Sequence, residues 1–314
     1  MASKKTNLVI SYSLYHLWLD FQLPIDGSEN DLILIGDFPE IESLYSSAKS
    51  VLKKRFQRIL ILPGVHSSRN KFLFKIQNLR NSQKIRSFLT KKHYHNLFFH
   101  HDKRLETQTA IHIAEKNNVN VISNFVEDGL AHYIDERIPP NAFRERFLKT
   151  IFPSYWEVVL RLGTHSKIKQ YYFTQPDRVF EEYKKKTCHK LEVDNISDFE
   201  KLAREYISCV YPKLLEQKIT QLFILPYFSK LDELSSLIHN SRLKADSGLY
   251  LKLHPKNAHF SPALVKLNHQ TIPTALSAEM LMALWPNLEL LLSKDNTCVL
   301  SAPYLLKNPQ ILYV

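Results

Sequence analysis

The sequence predicts an α/β protein of two tandem halves, each built on a parallel sheet. Three observations predict it. Short continuous apolar runs alternate with longer segments of helical periodicity, which is the pattern of strands covered on both faces. The alternation occurs twice, separated by an irregular, proline-punctuated stretch around residues 139–176. The length of 314 residues exceeds the usual size of a single core. The division is expected near residues 150–165, giving domains 1–158 and 159–314.

In the first half, Leu8 to Ser11 reads as a strand. Lys4 and Lys5 before the apolar stretch from Asn7 to Leu19 give a signal-peptide outline. Ser11, Tyr12, Ser13, Tyr15 and His16 interrupt it and no small-residue cleavage site follows, so a buried first strand is expected. Leu32 to Gly36 and Ile59 to Leu62 are the second and third strands, and Glu40 to Phe56 is a helix between them. Lys71 to Leu89 is a helix, Asn96 to His100 a short strand, Glu106 to Lys116 a helix and Val119 to Ser123 a further strand. In the second half, Gln170 to Phe173 is a strand and Ser197 to Gln217 a helix, with Ser197 as N-cap and Glu200 three residues on. Leu222 to Leu225 is a strand, Leu231 to His239 a helix, Leu249 to Leu253 a strand, Ser277 to Trp285 a helix and Leu288 to Leu292 a strand.

Composition narrows the function. With 6 Gly there is no glycine-rich phosphate loop, and neither dinucleotide nor P-loop spacing occurs. Cys188, Cys209 and Cys298 are too far apart for a paired-thiol motif and read as reduced packing residues, which fits a cytoplasmic protein. The net charge of +11 calls for an anionic partner. Lys53, Lys54, Arg55, Arg58, Arg69, Lys71, Lys75, Arg80, Lys84, Arg86, Lys91 and Lys92 concentrate that charge. They read as the solvated face of an amphipathic helix or as a contact, through residues 53–92, with anionic lipid at the inner face of the cytoplasmic membrane. No helix-turn-helix, RNP or zinc-finger pattern supports nucleic acid. No charge-free apolar run approaches the length needed to span a bilayer. His93, His95, His100 and His101 match no zinc spacing and read as a loop of solvated histidines.

Two clusters carry chemistry. Glu127-Asp128-Gly129 follows an apolar run, and Lys252-Leu253-His254-Pro255 follows Leu249-Tyr250-Leu251. Each places ionisable groups where a strand ends, the position of ligand crevices in open parallel sheets. Glu127 and Asp128 are adjacent, so their side chains diverge and their roles differ. One can act as a general base while the other caps or orients. Gly129 permits a backbone conformation closed to other residues. Lys252 and His254 leave the same face of a strand, and Pro255 favours an extended backbone at His254. The pair can hold a phosphate, Lys as a point charge and His as a donor. Read singly, each cluster is also an ordinary charged turn. Ser11, Tyr12 and Ser13 end the first strand and suit either acceptor binding or loop capping.

Taken together, the acidic-acidic-Gly and Lys-x-His-Pro motifs resemble those of the bacterial sialyltransferases of the GT-B fold, which include the lipooligosaccharide sialyltransferases and the capsular polysialyltransferases. The segment Pro273 to Glu279 resembles a third element of those families, a Pro-to-Glu segment opening a helix. The strand Leu290 to Ser293 stands where the fourth begins. The Ser-Ser pair that binds the CMP phosphate in those families is absent, and Ser293, Asn296 and Thr297 are the nearest residues. The resemblance implies two Rossmann-like domains facing across a cleft, an acceptor-side N-terminal one and a CMP-sugar-binding C-terminal one. It implies inverting transfer of sialic acid from CMP-sialic acid to a bacterial surface glycan. Glu127 is then the general base, Asp128 its support, and His254 stabilises the departing phosphate. Gly129, Lys252, Pro255 and Glu279 join the donor site. No metal or cofactor is implied, and no Asp-x-Asp triplet occurs. CMP-Kdo or another CMP-nonulosonate is the alternative donor. A non-catalytic protein binding an anionic glycan or nucleotide is the alternative class.

Overall fold

The computed structural model describes residues 5–25, 27–36, 40–64, 71–134, 152–225, 230, 233, 248–266, 270–292, 297–308 and 310–313. The chain forms two compact units, Met1–Asn195 and Ile196–Val314.

The first unit holds seven parallel strands in the order β3-β2-β1-β4-β5-β6-β7. They are β1 (Thr6–Ser11), β2 (Glu29–Gly36), β3 (Arg58–Pro63), β4 (Asn96–Phe99), β5 (Ile122–Val126), β6 (Gln170–Phe173) and β7 (Thr187–Lys190). Leu8, Val9, Ile10, Leu32, Ile33, Leu34 and Ile35 are fully buried, as continuous apolar runs in a doubly covered sheet must be. Val9 lies between Leu32 and Phe98 in register. Strand order reverses between β1 and β4. The carboxyl ends of these two neighbours therefore border the crevice in which open α/β sheets bind ligands.

Helices connect the strands: α1 (Leu14–Asp20), α2 (Ile41–Ser47), α3 (Lys49–Arg55), α4 (Lys71–Leu89) and α5 (Leu105–Asn117). α1 follows the expected strand, in a segment where the sequence predicts no helix. Ser13 caps it by accepting the His16 amide, and all seven of its residues are buried. The helix expected over Glu40 to Phe56 is two helices that meet at Ala48. β5 begins three residues later than expected, which brings its end directly to Glu127.

The junction expected at residue 158 lies at 195. Tyr171 and Tyr172 pair with Phe125 and Val126 of β5, and β7 pairs with β6, so both strands extend the first sheet. A parallel strand is joined to its neighbour by a long crossover, so local sequence cannot say which sheet it enters.

The second unit opens with α6 (Ile196–Val210). Its buried residues Phe199, Leu202, Ala203, Tyr206 and Ile207 fall at the i, i+3, i+4, i+7, i+8 positions of one helical stripe. It stops at Val210 rather than at Gln217, since Pro212 cannot continue it. Five parallel strands follow in the order β10-β9-β8-β11-β12. They are β8 (Gln221–Ile224), β9 (Leu249–Lys252), β10 (Gln270–Ile272), β11 (Glu289–Leu292) and β12 (Gln310–Tyr313). α7 (Ala278–Leu284) is capped by Ser277, which accepts the Met280 amide, and α8 (Cys298–Leu305) lies beyond β11. The helix expected over Leu231 to His239 lies outside the described residues. Among the described residues, no helix is long and apolar enough to cross a membrane.

Candidate functional site

At the carboxyl ends of β1, β4 and β5, the first unit gathers a buried polar cluster. Glu127 follows β5 and is fully buried. One carboxylate oxygen, Oε1, accepts the Tyr15 hydroxyl from α1. The other, Oε2, accepts the Tyr133 hydroxyl, the Thr174 amide at 2.9 Å and the Thr174 hydroxyl at 2.8 Å. Four donors from three segments thus converge on one carboxylate, which offsets the cost of burying it.

Asp128 behaves differently. Its Oδ1 accepts Nε2–H of His16, and its side chain keeps 17% exposure. His16 Nδ1 accepts the Tyr12 amide at 3.1 Å, so its ring carries the proton on Nε2. Oδ2 of Asp128 has no donor among the described residues. The Asp128 amide donates to His132 Nε2 at 3.1 Å, and Tyr183 O–H lies 3.2 Å from His132 Nδ1. Gly129 then turns the chain at φ +80°, the left-handed conformation the sequence predicts for it.

Below His16 lies His100. The two rings stack with centroids 4.1 Å apart and planes 2° from parallel. His100 Nδ1 faces the Glu127 carbonyl at 2.7 Å and Nε2 faces Asp20 Oδ1 at 2.9 Å. Both partners accept, so both nitrogens donate and the ring is an imidazolium. Asp20 Oδ2 also accepts the Ser11 hydroxyl. Burial opposes the charge on His100, but Asp20, the Glu127 carbonyl and Asp128 together outweigh it and raise the pKa. His16 is pushed down, first by burial and then by the charge on His100. Burial, helped by neighbouring positive groups and opposed by Asp128, lowers His101 and His132 to about 4. For Asp128, burial is outweighed by the attraction and hydrogen bond of His16, which bring the carboxyl to about 2. The cluster is therefore an ionised Asp128 held by the Nε2–H of His16, with a buried imidazolium beneath.

The sequence placed Glu127, Asp128 and Gly129 here, and Ser11, Tyr12 and Ser13 beside them. Ser11 and Tyr12 are buried and engaged inside the fold, Tyr12 through a 2.7 Å hydrogen bond to Thr107. Ser13 serves as the helix cap. The histidine run expected in solvent is divided. His93 and His95 are exposed, but His100 is fully buried because it closes β4 at the switch point. His16, Asp20, His132, Tyr15, Tyr133 and Thr174 were missed. The only local signal was Ser13 followed three residues on by His16, a cap spacing hidden because these polar residues read as interruptions of an apolar run.

The second unit has its own cluster. Lys252 ends β9 and is 5% exposed. Its ammonium donates to the Leu253 carbonyl at 3.0 Å and the Thr274 carbonyl at 3.4 Å, and no ion pair within 4.0 Å involves it among the described residues. Burial lowers its pKa to about 8. Glu279, in the first turn of α7, is also buried and accepts the Ser301 hydroxyl at 3.4 Å. Burial raises its pKa. Cys298 lies 3.9 Å from Glu279 Oε1, and burial keeps it a thiol. His254 is half-buried, and its carbonyl accepts the Asn257 amide at 2.8 Å in the turn that Pro255 opens. Thr297 precedes α8 without a side-chain cap bond. Ser293 and Asn296 lie outside the described residues.

No family model matches the chain, and no curated protein matches it. Among solved structures it is similar to LpCGTa in complex with UDP, at 11% identity over 96% of this chain and 77% of that one, with a TM-score of 0.51. This likeness carries the fold: two parallel α/β units of the GT-B type, as the sequence predicts. A glycosyltransferase from Rickettsia africae matches at 12% identity over 99% and 84% of the two chains, with a TM-score of 0.42. The C-terminal domain of the PF1911 hydrogenase from Pyrococcus furiosus matches at 15% over 38% and 90%, with a TM-score of 0.29.

Proposed function

We propose that this protein is a metal-independent, inverting glycosyltransferase that takes sialic acid from CMP-sialic acid to a hydroxyl of a bacterial surface glycan. The observation that carries the reading is Asp128: an ionised carboxylate at the switch point with one oxygen held by His16 and the other without a donor among the described residues. Glycosyl transfer, the coarser part, is supported by the fold shared with LpCGTa, whose structure holds UDP. The finer part rests on the Glu127-Asp128-Gly129 and Lys252-x-His254-Pro255 resemblance.

The geometry favours Asp128 over Glu127 as the base, because Glu127 already holds four donors. In an oxocarbenium-like transition state the acceptor hydroxyl becomes acidic only as its bond to the sugar forms. A carboxylate held at about 2 takes the proton at that late stage, when positioning matters more than basicity. His16 holds the carboxylate in place. Lys252 and His254 supply the positive charge that a divalent cation would otherwise bring to the phosphate, and Glu279 meets the ribose hydroxyls. Gly129 and Pro255 shape the backbone, and Thr297, Ser293 and Asn296 supply the remaining polar contacts. The protein works in the cytoplasm, at the inner face of the membrane.

A donor panel tests this. CMP-sialic acid should turn over, and Asp128→Asn should lower kcat by about 10²–10⁴-fold while CMP binding and folding persist. Turnover with CMP-Kdo alone would move the donor within the class. Turnover with UDP-sugars alone, the outcome favoured by the UDP in LpCGTa, would remove the CMP assignment. An undiminished rate in Asp128→Asn would remove Asp128 from the chemistry.

A further inference from the structure

We infer that the outer face of α4 and the groove beside it form a docking surface for an anionic lipid bilayer. Between Ser43 and His101 the chain holds thirteen Lys and Arg residues and no Asp or Glu, more than the whole net charge of +11. The excess positive charge therefore belongs to this stretch alone.

The described part of α4 turns its share of that charge outward. Asn78, Asn81, Ser82, Ile85 and Leu89 are the buried side of α4. At 100° per residue the opposite arc carries Leu79, Arg80, Gln83, Lys84, Arg86 and Ser87, all exposed. Arg80 and Lys84 have no ionic partner among the described residues. Leu79, at 47% exposure, is one of the large apolar side chains that the fold leaves in water, and it sits within this basic arc.

Beside α4 runs β3, the edge strand of the first sheet, with Ile59, Leu60 and Ile61 only half-buried. Between the two lies a groove of about 660 Å³. Leu60, Pro63 and Phe88 give it an apolar lining, and Arg80 and Lys84 stand on its rim. Arg58 stacks on Phe88 at 4.1 Å, with its charge shared with Asp31 at 3.6 Å. Charge and apolar surface on one face suit a lipid headgroup layer with its acyl boundary. A soluble polyanion would use the charge but not the exposed leucine or the apolar lining.

The test is co-sedimentation of the full chain with vesicles of phosphatidylglycerol and phosphatidylcholine, read without donor or acceptor, so that it stands apart from the transferase reading. The protein should bind mixed anionic vesicles and not pure phosphatidylcholine. Arg80→Gln with Lys84→Gln should weaken binding about 25-fold, at about fivefold per charge. Leu79→Ser should weaken it about fivefold and do so at high salt as well. Lys201→Gln with Lys218→Gln, which removes the same charge from the second unit, should change it little. Equal loss in both double variants, or equal binding to neutral vesicles, would overturn the proposal. Absent vesicle binding, with dextran sulfate binding lost in the α4 variant, would make the face a polyanion site instead. All five substitutions, in three variants, are at exposed positions, and circular dichroism checks that each variant folds.

Discussion

The two units bury ionisable groups by opposite means. Around Glu127 and His100, each buried charge meets partners from the chain: four donors on one carboxylate, and a carboxylate and a carbonyl on one imidazolium. Around Lys252 and Glu279, an ammonium rests on two main-chain carbonyls, and a carboxylate on the Ser301 hydroxyl at 3.4 Å, the Cys298 thiol at 3.9 Å and the helix cap at Ser277. In the first unit charge is retained because the fold completes its coordination. In the second, burial moves both groups toward neutrality, the Lys to about 8 and the Glu upward. Incomplete coordination of this kind is costly to a folded protein and is characteristic of groups that await a ligand.

The contrast breaks most readily at Glu127. Glu127→Ala strands Tyr15, Tyr133 and both Thr174 donors, each at a cost of about 1–3 kcal/mol when left buried and unpaired. The expected loss of unfolding free energy is about 4 kcal/mol or more, measured by denaturant titration. Asp128→Asn, which keeps the shape and one side exposed, should lose far less. A Glu127→Ala protein within about 1 kcal/mol of the parent would show that the four donors find water, and the first unit would lose its claim to completed coordination.

His132 sharpens the same contrast through pH. Burial holds its folded pKa at about 4, against 6.5 in the unfolded chain. Between these values the unfolded chain binds the proton and the folded one does not. Stability from this group is therefore full above pH 6.5 and is lost as pH falls towards 4, by about 3 kcal/mol in all. His101 acts in the same sense. Asp102, which burial raises to about 6, acts in the opposite one, and His16 and His100 are shifted as well, so the parent curve is a net of many groups. Subtraction isolates the group: His132→Gln should flatten the stability curve over pH 6.5–4 by up to about 1.4 kcal/mol per pH unit. Parallel curves would mean that His132 is protonated in the folded state.

The strands were legible wherever continuous apolar runs had to be buried on both faces, as at Leu8–Ile10 and Leu32–Ile35. The Glu127 and Lys252 clusters were legible because ionisable residues followed such runs directly. What escaped is what distance in the chain conceals. His16 and Asp128 are 112 residues apart, Asp20 and His100 80, and Glu127 and Thr174 47. α1 escaped because His16 read as an interruption of an apolar run and Asp20 carried no signal of its own, when their partners lie at the ends of other strands. β6 and β7 escaped assignment to the first sheet because a crossover, not a local pattern, decides which edge a parallel strand joins.

The second unit supplies the smallest effect and the one most specific to ligand binding. Lys252 is protonated at pH 7 in both folded and unfolded chains, yet its folded pKa is about 8 against 10.5. The buried charge therefore costs stability below pH 8, and the cost fades as pH rises towards 10.5 and the amine becomes neutral in both states. Lys252→Met keeps the length and removes the charge. It should stabilise the protein by about 1–3 kcal/mol at pH 7 and by progressively less above pH 8, while weakening CMP binding. Denaturant titrations across pH and nucleotide titration calorimetry read the two effects separately. A variant that is destabilised at pH 7 would show that the two carbonyls already satisfy the ammonium, and the second unit would then bury its charge as completely as the first.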